Sequence, residues 1–296
     1  MVTSTQAKAA VDFLGEKFGI SERRASLLLG RPRSTIRYQP KQREEEKELT
    51  QAICRFARKH RRFGYRKIHA LLKNADWKVN VKRVRRLWNQ LGLRVRAPRK
   101  KPRKGGKAQG TSANSCTNKP ARFKDDVWTY DFVQSRQTDG RPLKWLTLVD
   151  EYTRECLTLN VSNQVSGADV RRVLAQVIGR RGAPRRIRSD NGSEFVCEAL
   201  QGWLPHAGVE SLCVAPGSPW ENGFIESFNS RFRDEFLNGA EFETVSDAKA
   251  KAAGWRREYN RIRPHGALDY KTPQTFSDEC DAGQHGQPPK KPKSKK

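Results

Sequence analysis

Three acidic side chains, Asp131, Asp190 and Glu226, stand where carboxylates can do chemistry and not merely face water. Asp131 falls inside Val127-Trp128-Thr129-Tyr130-Asp131-Phe132-Val133, an apolar run that reads as a strand. Asp190 directly follows a short strand around Arg186-Ile187-Arg188 and precedes Asn191-Gly192, a turn signal. Glu226 lies on a helix that begins near Glu221 and carries Ile225, Phe228 and Phe232, with Arg233 two turns beyond. If the two strands are neighbours, both aspartates share one sheet edge and the helix adds the glutamate. Converging carboxylates repel one another unless cations fill the gap. Two Mg²⁺ ions about 3.5–4 Å apart satisfy that requirement, activating a nucleophile and stabilising the leaving oxygen of a phosphodiester.

Spacing alone carries no weight. Asp190 and Glu226 are 36 positions apart, but so are Asp12 and Glu48, and Arg55 follows Glu48 by the same seven positions that separate Arg233 from Glu226. Context separates the two cases. Asp12 lies within an amphipathic helix and has no upstream partner acid, whereas Asp190 sits at a strand-to-turn junction with Asp131 available. Glu221 is the competing glutamate, but it opens the helix, where acids are favoured anyway. Asp150 and Glu151 read as a polar turn, with Asp150 a possible supporting group for the site. His265 is open between a surface loop and a DNA contact, and His60, His69 and His206 lack paired ligand spacing.

The elements that must position these residues emerge from the charge distribution. The chain has 296 residues and a formal net charge of +27. Residues 1–122 carry 33 basic and 8 acidic side chains, residues 123–278 carry 21 and 22, and residues 279–296 carry 5 and 2. A near-neutral body therefore follows an intensely basic front end. Such a front end attracts polyanions, since each neutralised phosphate releases counterions. Nucleic acid is the first candidate partner. An anionic membrane fits less well, because the basic residues are interleaved with Trp, Tyr and Gly turns and do not line one long amphipathic helix. No stretch approaches the roughly 20 apolar residues of a membrane span, and no secretory signal opens the chain. The six scattered cysteines lack zinc or disulfide spacing. These features predict a soluble protein with a cytoplasmic, nucleoid-associated location.

Residues 1–40 predict short helices in a helix-turn-helix-like segment, with Ser21 an N-cap and Gly30 a stop. Residues 41–96 predict a basic helical DNA-binding domain. Its last helix puts Val84, Leu87, Trp88 and Leu91 on one face. The opposite face holds Lys82, Arg83, Arg85, Arg86, Asn89 and Gln90, cations for phosphates plus amides able to read base edges. Residues 97–122 have no apolar periodicity and predict a flexible basic linker. Residues 123–278 read as β-β-β-α-β-α-β-α, an α/β mixed sheet with helices packed against it. The Lys-Pro-rich stretch 279–296 predicts a disordered tail.

The flanks of the three acids add specificity. Trp128-Thr129-Tyr130-Asp131, Ser189-Asp190-Asn191-Gly192-Ser193-Glu194-Phe195, Ser218-Pro219-Trp220-Glu221-Asn222-Gly223-Phe224-Ile225-Glu226-Ser227-Phe228-Asn229 and Arg263-Pro264-His265-Gly266-Ala267-Leu268 together resemble the second-reading-frame (OrfB) proteins of two-frame bacterial insertion sequences. The three acids resemble the DDE triad shared with retroviral integrases. The Arg61–Leu93 block, containing Phe63-Gly64-Tyr65-Arg66-Lys67, is similar to the helix-turn-helix segment that precedes the core in that group. The resemblance implies a ribonuclease-H-like integrase catalytic core and a DDE transposase that cleaves insertion-sequence ends and transfers strands by 3′-hydroxyl attack. It implies two Mg²⁺ ions (Mn²⁺ substituting), with Asp131 bridging both and Asp190 and Glu226 each holding one. It further implies DNA contacts by Arg233, Asn191, Asn222, Arg66 and Lys67, a homo-oligomer on transposon ends and target DNA, and pairing with a first-frame (OrfA) protein. Retroviral integrases carry a His/Cys zinc module ahead of the core, and no such spacing exists here. Two alternatives stay open: a non-enzymatic DNA-binding regulator, and a ribonuclease H-type nuclease that joins nothing.

Overall fold

A computed structural model describes residues 4–37, 44–95, 113–189, 198–213 and 222–286. The chain divides into two compact units, residues 1–52 and 53–296. In the first, α1 (Ser4–Phe18), α2 (Glu22–Leu28) and α3 (Arg33–Arg37) bury Val11, Ala25 and Ile36 together. Ser21 does precede α2 in extended conformation, but its side chain makes no capping hydrogen bond. The unit boundary falls at residue 52, inside α4 (Glu44–Lys59), whereas the sequence reading separates its two helical segments at residue 40.

In the second unit, α5 (Tyr65–Asn74) and α6 (Val81–Gln90) form the expected basic helical pair. Asn80 caps α6 by accepting from the Lys82 amide at 2.8 Å. The inner face of α6 buries Val84, Leu87 and Trp88, which leaves Lys82, Arg85, Arg86, Asn89 and Gln90 exposed and Arg83 half-buried.

The body is built on a five-stranded sheet, β1 (Val127–Arg136), β2 (Pro142–Asp150), β3 (Cys156–Ser162), β4 (Arg186–Ser189) and β5 (Glu210–Cys213). Its spatial order is β3-β2-β1-β4-β5. The first three strands form an antiparallel meander, and β4 and β5 add in parallel beside β1. This is the expected ribonuclease-H-like mixed sheet. Alternation along β1 sorts its side chains between two cores. Trp128 and Tyr130 pack with α7 (Gly167–Arg181) and α8 (Glu198–His206), while Val133 packs with α9 (Gly223–Glu235) and α10 (Val245–Arg261). Starts are marked chemically: Ser166 and Asp169 form a reciprocal capping box on α7, and Thr244 accepts from the Asp247 amide on α10. Among the described residues no helix is long and apolar enough to cross a membrane.

Two further boundaries move. The second half of the predicted linker is held against the sheet. The buried Arg188 guanidinium donates to the carbonyls of Asn114 (3.1 Å) and Lys119 (2.7 Å), and the Asn114 amide donates to the Cys213 carbonyl at 3.2 Å. Nor does the tail begin at residue 279. Helix α11 (Pro273–Asp281) runs through it, and Lys271 and His285 both pair with Glu279.

Candidate active site

Asp131 lies in the middle of β1, opposite Thr147 on β2 and on the face that meets α9. Its carboxylate is half-buried and held from two directions. Asn229 of α9 donates its Nδ2 to Oδ2 at 2.8 Å, and the Phe132 amide donates to Oδ1 at 2.7 Å. The fully buried Thr147 hydroxyl lies 3.0 Å from both the Asp131 carbonyl and the Asn229 Oδ1. Strand backbone, strand hydroxyl and helix amide therefore fix one carboxylate together.

Glu226 stands three residues before Asn229, on the same side of α9, where Cβ atoms are about 5–6 Å apart. The residue is exposed, yet partial desolvation of the carboxylate raises its pKa, and no ion pair among the described residues offsets that. The helix is locked in rotation by its opposite, aromatic side. Phe232 meets Trp145 edge-on at 5.4 Å, Phe228 meets Tyr259 at 5.1 Å, and Trp255 lies 5.1 Å from Phe232. Its start is pinned as well, since the Thr129 hydroxyl donates to the Asn222 Oδ1 at 2.6 Å.

Asp190 and Asn191 lie outside the described residues. β4 ends at Ser189, directly before Asp190, and runs parallel to β1 with Thr129 opposite Arg188. The described part of the site thus offers Asp131 and Glu226, hard oxygen donors suited to a divalent ion such as Mg²⁺. Among the described residues, no three His, Cys, Asp or Glu side chains gather into a metal-binding group.

Of the expected DNA contacts, Arg233 is exposed and donates to the Gln134 carbonyl at 3.2 Å, and Arg66 is exposed beside Tyr65. Asn222 is only 5% exposed and accepts from the Thr129 hydroxyl at the start of α9. Lys67 is engaged within the protein: its ammonium sits 3.3 Å from Glu235, and burial together with Arg263 and Arg231 lowers its pKa to about 8.

That pair belongs to a joint between the helical segment and the core. Arg62 donates Nε to Asp234 at 2.8 Å, and Arg263 grips Glu235 at 2.7 and 2.6 Å. His60, stacked on Phe63 at 4.8 Å, pairs with Glu258 at 2.9 Å. Asp234 and Glu235 are the last acids of α9, so the helix carrying Glu226 also holds the basic segment.

Away from Asp131, at the start of β1 and the end of β2, Asp150, Glu151, Arg181 and Arg188 form a buried charge network. Asp150 accepts from the amides of Asp125 and Tyr152 and from Thr153, but desolvation and the nearby Asp125 push its pKa up to about 7. Glu151 pairs with Arg188, both fully buried. These acids are structural and do not join Asp131.

Asn229 and Thr147 are the residues around Asp131 that the sequence reading did not single out. The signal was available for one of them: Asn229 interrupts the stripe Ile225, Phe228, Phe232, where an amide must answer a buried polar partner.

The comparisons with known proteins agree with this architecture. An integrase core domain family matches residues 122–219, a second integrase core domain family matches residues 207–273, and an HTH-like domain matches residues 42–101. The chain is 39% identical over 270 residues to an uncharacterized 39.2 kDa protein of insertion element IS476 from Xanthomonas euvesicatoria, covering 91% of this chain and 76% of that one. It is 39% identical over 262 residues to an uncharacterized 31.7 kDa protein of insertion element IS407 from Burkholderia multivorans, covering 88% and 92%. It is 27% identical over 243 residues to the transposase of insertion sequence element IS904 from Lactococcus lactis, covering 80% and 96%. Among solved structures it is similar to the HTLV-2 integrase catalytic core domain in complex with magnesium, with 15% identity, TM-score 0.42, and coverage of 52% of this chain and 97% of that one. With two relatives at this identity matched over most of their length, the chain belongs to the insertion-sequence DDE transposase family, an HTH-like domain followed by an integrase core.

Proposed function

We propose that this protein cuts DNA at the ends of its insertion sequence and joins the freed 3′-hydroxyl to a second phosphodiester. The observation that carries the reading is the Asp131 carboxylate, held on the central strand by an amide from the same helix turn that presents Glu226. Asp131, Asp190 and Glu226 would hold the two divalent ions, Mg²⁺ or Mn²⁺. Bound there, the ions supply Lewis-acid activation of the attacking oxygen and charge stabilisation at the leaving oxygen. The chain's own residues do the positioning. Asn229 and Thr147 keep Asp131 aimed, the aromatic side of α9 keeps Glu226 beside it, and exposed Arg233 meets the DNA backbone. The exposed side of α6 lies in a groove, with Lys82, Arg83, Arg85 and Arg86 on phosphates and Asn89 on a base edge. The active species is a homo-oligomer on paired ends, acting in the bacterial cytoplasm at the nucleoid, with the first-frame OrfA protein as a partner.

The test uses end-containing duplex DNA and separate precut ends with target DNA. Asp131→Asn and Glu226→Gln are expected to retain duplex binding and lose both cleavage and joining, and chelation of divalent ions abolishes both in the unsubstituted protein. A variant that keeps cleaving refutes the assignment. Cleavage without joined products from precut ends makes the protein a simple nuclease.

A further inference from the structure

Between α5 and the turn that leads into α11 lies a cavity of about 540 Å³, within the range of small-ligand sites. One wall is a single face of α5, where Arg66, His69 and Lys73 recur at helical spacing. The other wall is formed by residues 269–272, and Val81, the first residue of α6, lines the cavity as well. Asp269 (φ 51°) and Tyr270 (φ 64°) are successive non-glycine residues in the left-handed region, an uncommon conformation that surrounding structure must hold. Backbone bonds hold it here. The Tyr270 amide donates to the His265 carbonyl at 3.0 Å, and the His265 amide donates to the Lys271 carbonyl at 2.9 Å. The motif Arg263-Pro264-His265-Gly266-Ala267-Leu268 thus leads into a braced turn that sets Tyr270 on the cavity lining.

The lining suits a nucleotide. Arg66 and Lys73 are exposed cations, and neither pairs with a carboxylate among the described residues. Arg66 donates Nε to the Tyr65 hydroxyl at 3.3 Å, and hydrogen bonding to Tyr65 and Tyr270 raises its pKa. Lys271 is committed to Glu279 at 2.6 Å, so a phosphate would meet the two cations of α5. Tyr270 offers a ring for a base to stack on, and Asn74 and Thr275 offer polar groups to a base edge. Asp269, the carboxylate of the lining, repels a phosphate but accepts from a base amine, which puts the base at the turn and the phosphate at α5.

The cavity is continuous with the basic side of α6. Val81 directly precedes Lys82, and the Tyr65 ring lies 5.8 Å from the Arg66 guanidinium and 5.8 Å from that of Arg85. A strand held by Lys82 and Arg85 would therefore pass Arg66, which favours a nucleotide of that strand over a free one. We propose that the cavity takes one unpaired nucleotide of the bound DNA, its base against Tyr270 and its phosphate on Arg66 and Lys73. The assignment rests on the DNA reading above and adds a preference to it, because a nucleotide that is already unpaired enters without the cost of breaking a base pair.

The test compares two duplexes of the same end sequence on the full chain, one fully paired and one with a single extra cytosine in one strand. The bulged duplex is expected to bind about 5–150-fold more tightly, the range for one base stacked on an aromatic ring. With 5-iodocytosine at the bulge, irradiation should cross-link the base to Tyr270, located by peptide mass spectrometry. Tyr270→Ala should erase the preference and the cross-link while fully paired duplex binds as before, and Lys82→Gln should weaken both duplexes equally. Equal affinities for the two duplexes overturn the site, and so does a Tyr270→Ala protein that keeps the preference. If deoxycytidine monophosphate shifts the His69 imidazole resonances while the two duplexes bind equally, the cavity serves free nucleotides and the DNA assignment fails. A chain that binds neither duplex refutes the broader DNA reading instead. Should Tyr270→Ala not fold, Lys73→Gln, on the exposed surface of α5, decides: it should reduce the preference, and an unchanged preference overturns the site.

Discussion

Replacing Asn229 by Ala tests whether the cradle around Asp131 matters to the chemistry. The Asp131 Oδ2 loses a donor at 2.8 Å, and the Thr147 hydroxyl loses an acceptor at 3.0 Å while keeping the Asp131 carbonyl. A hydrogen bond to a charged partner contributes about 1.5–3 kcal/mol. Spent on carboxylate orientation, that is about 10–150-fold in the productive population, at about 1.4 kcal/mol per decade. Groups that orient metal ligands commonly cost about 10–100-fold when removed, the same range. The assay is single-turnover cleavage of end-containing duplex with Mg²⁺ titrated, which separates weaker metal affinity from slower chemistry. The metal midpoint is expected to rise about 10–100-fold, with much of the rate recovered at saturation. Asn229→Asp should be worse, because a second carboxylate at this distance forces the pair to share a proton at neutral pH. An Asn229→Ala protein with an unchanged metal midpoint and rate, alongside an inactive Asp131→Asn, would refute the positioning role and leave Asn229 as packing alone.

Three further outcomes follow from the same structure. Glu151→Gln strands the buried Arg188 guanidinium and should cost about 3–5 kcal/mol in urea unfolding; a loss under 1 kcal/mol means that the Asn114 and Lys119 carbonyls around Arg188 suffice. Phe232→Ala opens the aromatic core behind α9 and should cost about 3–5 kcal/mol, with cleavage falling further than Asp131-independent duplex binding does; equal losses in both would separate the aromatic side of α9 from its catalytic face. His265, with its pKa near 3 when folded against an ordinary 6.5, leaves the unfolded chain to take the proton first. Its contribution is therefore complete above pH 6.5 and lost as pH falls towards 3, at about 1.4 kcal/mol per pH unit. His265→Gln should remove that slope, and parallel stability curves for the two proteins between pH 5 and 7 would contradict it.

What could be read from the chain, and what could not, divides along physical lines. Strand β1 was legible because an acid set in an apolar run is a local pattern, and α6 because its cations and its Val84, Leu87, Trp88 stripe alternate with helical period. The grip of Arg188 on the 113–119 segment was not, because its acceptors are backbone carbonyls that every residue carries. Lys67 read as a DNA contact because a cation on a basic helix looks the same whether it meets phosphate or Glu235, 168 positions later. His265 was undecided for a similar reason: its burial and the repulsion of the surrounding cations arise only from tertiary packing.

Helix α9 concentrates these constraints. Its inward stripe buries Ile225, Phe228 and Phe232, one flank carries Glu226 and Asn229 to the central strand, and its last turn gives Asp234 and Glu235 to the basic segment and Arg263. Thirteen residues give the helix about 20 Å of length, so a rotation that relieved any one contact would misplace the other two. Glu226 can therefore remain exposed, available to ions and DNA, without being loosely placed. The charged side chain contributes little to its own positioning; the aromatic packing opposite and the ion pairs two turns away supply it.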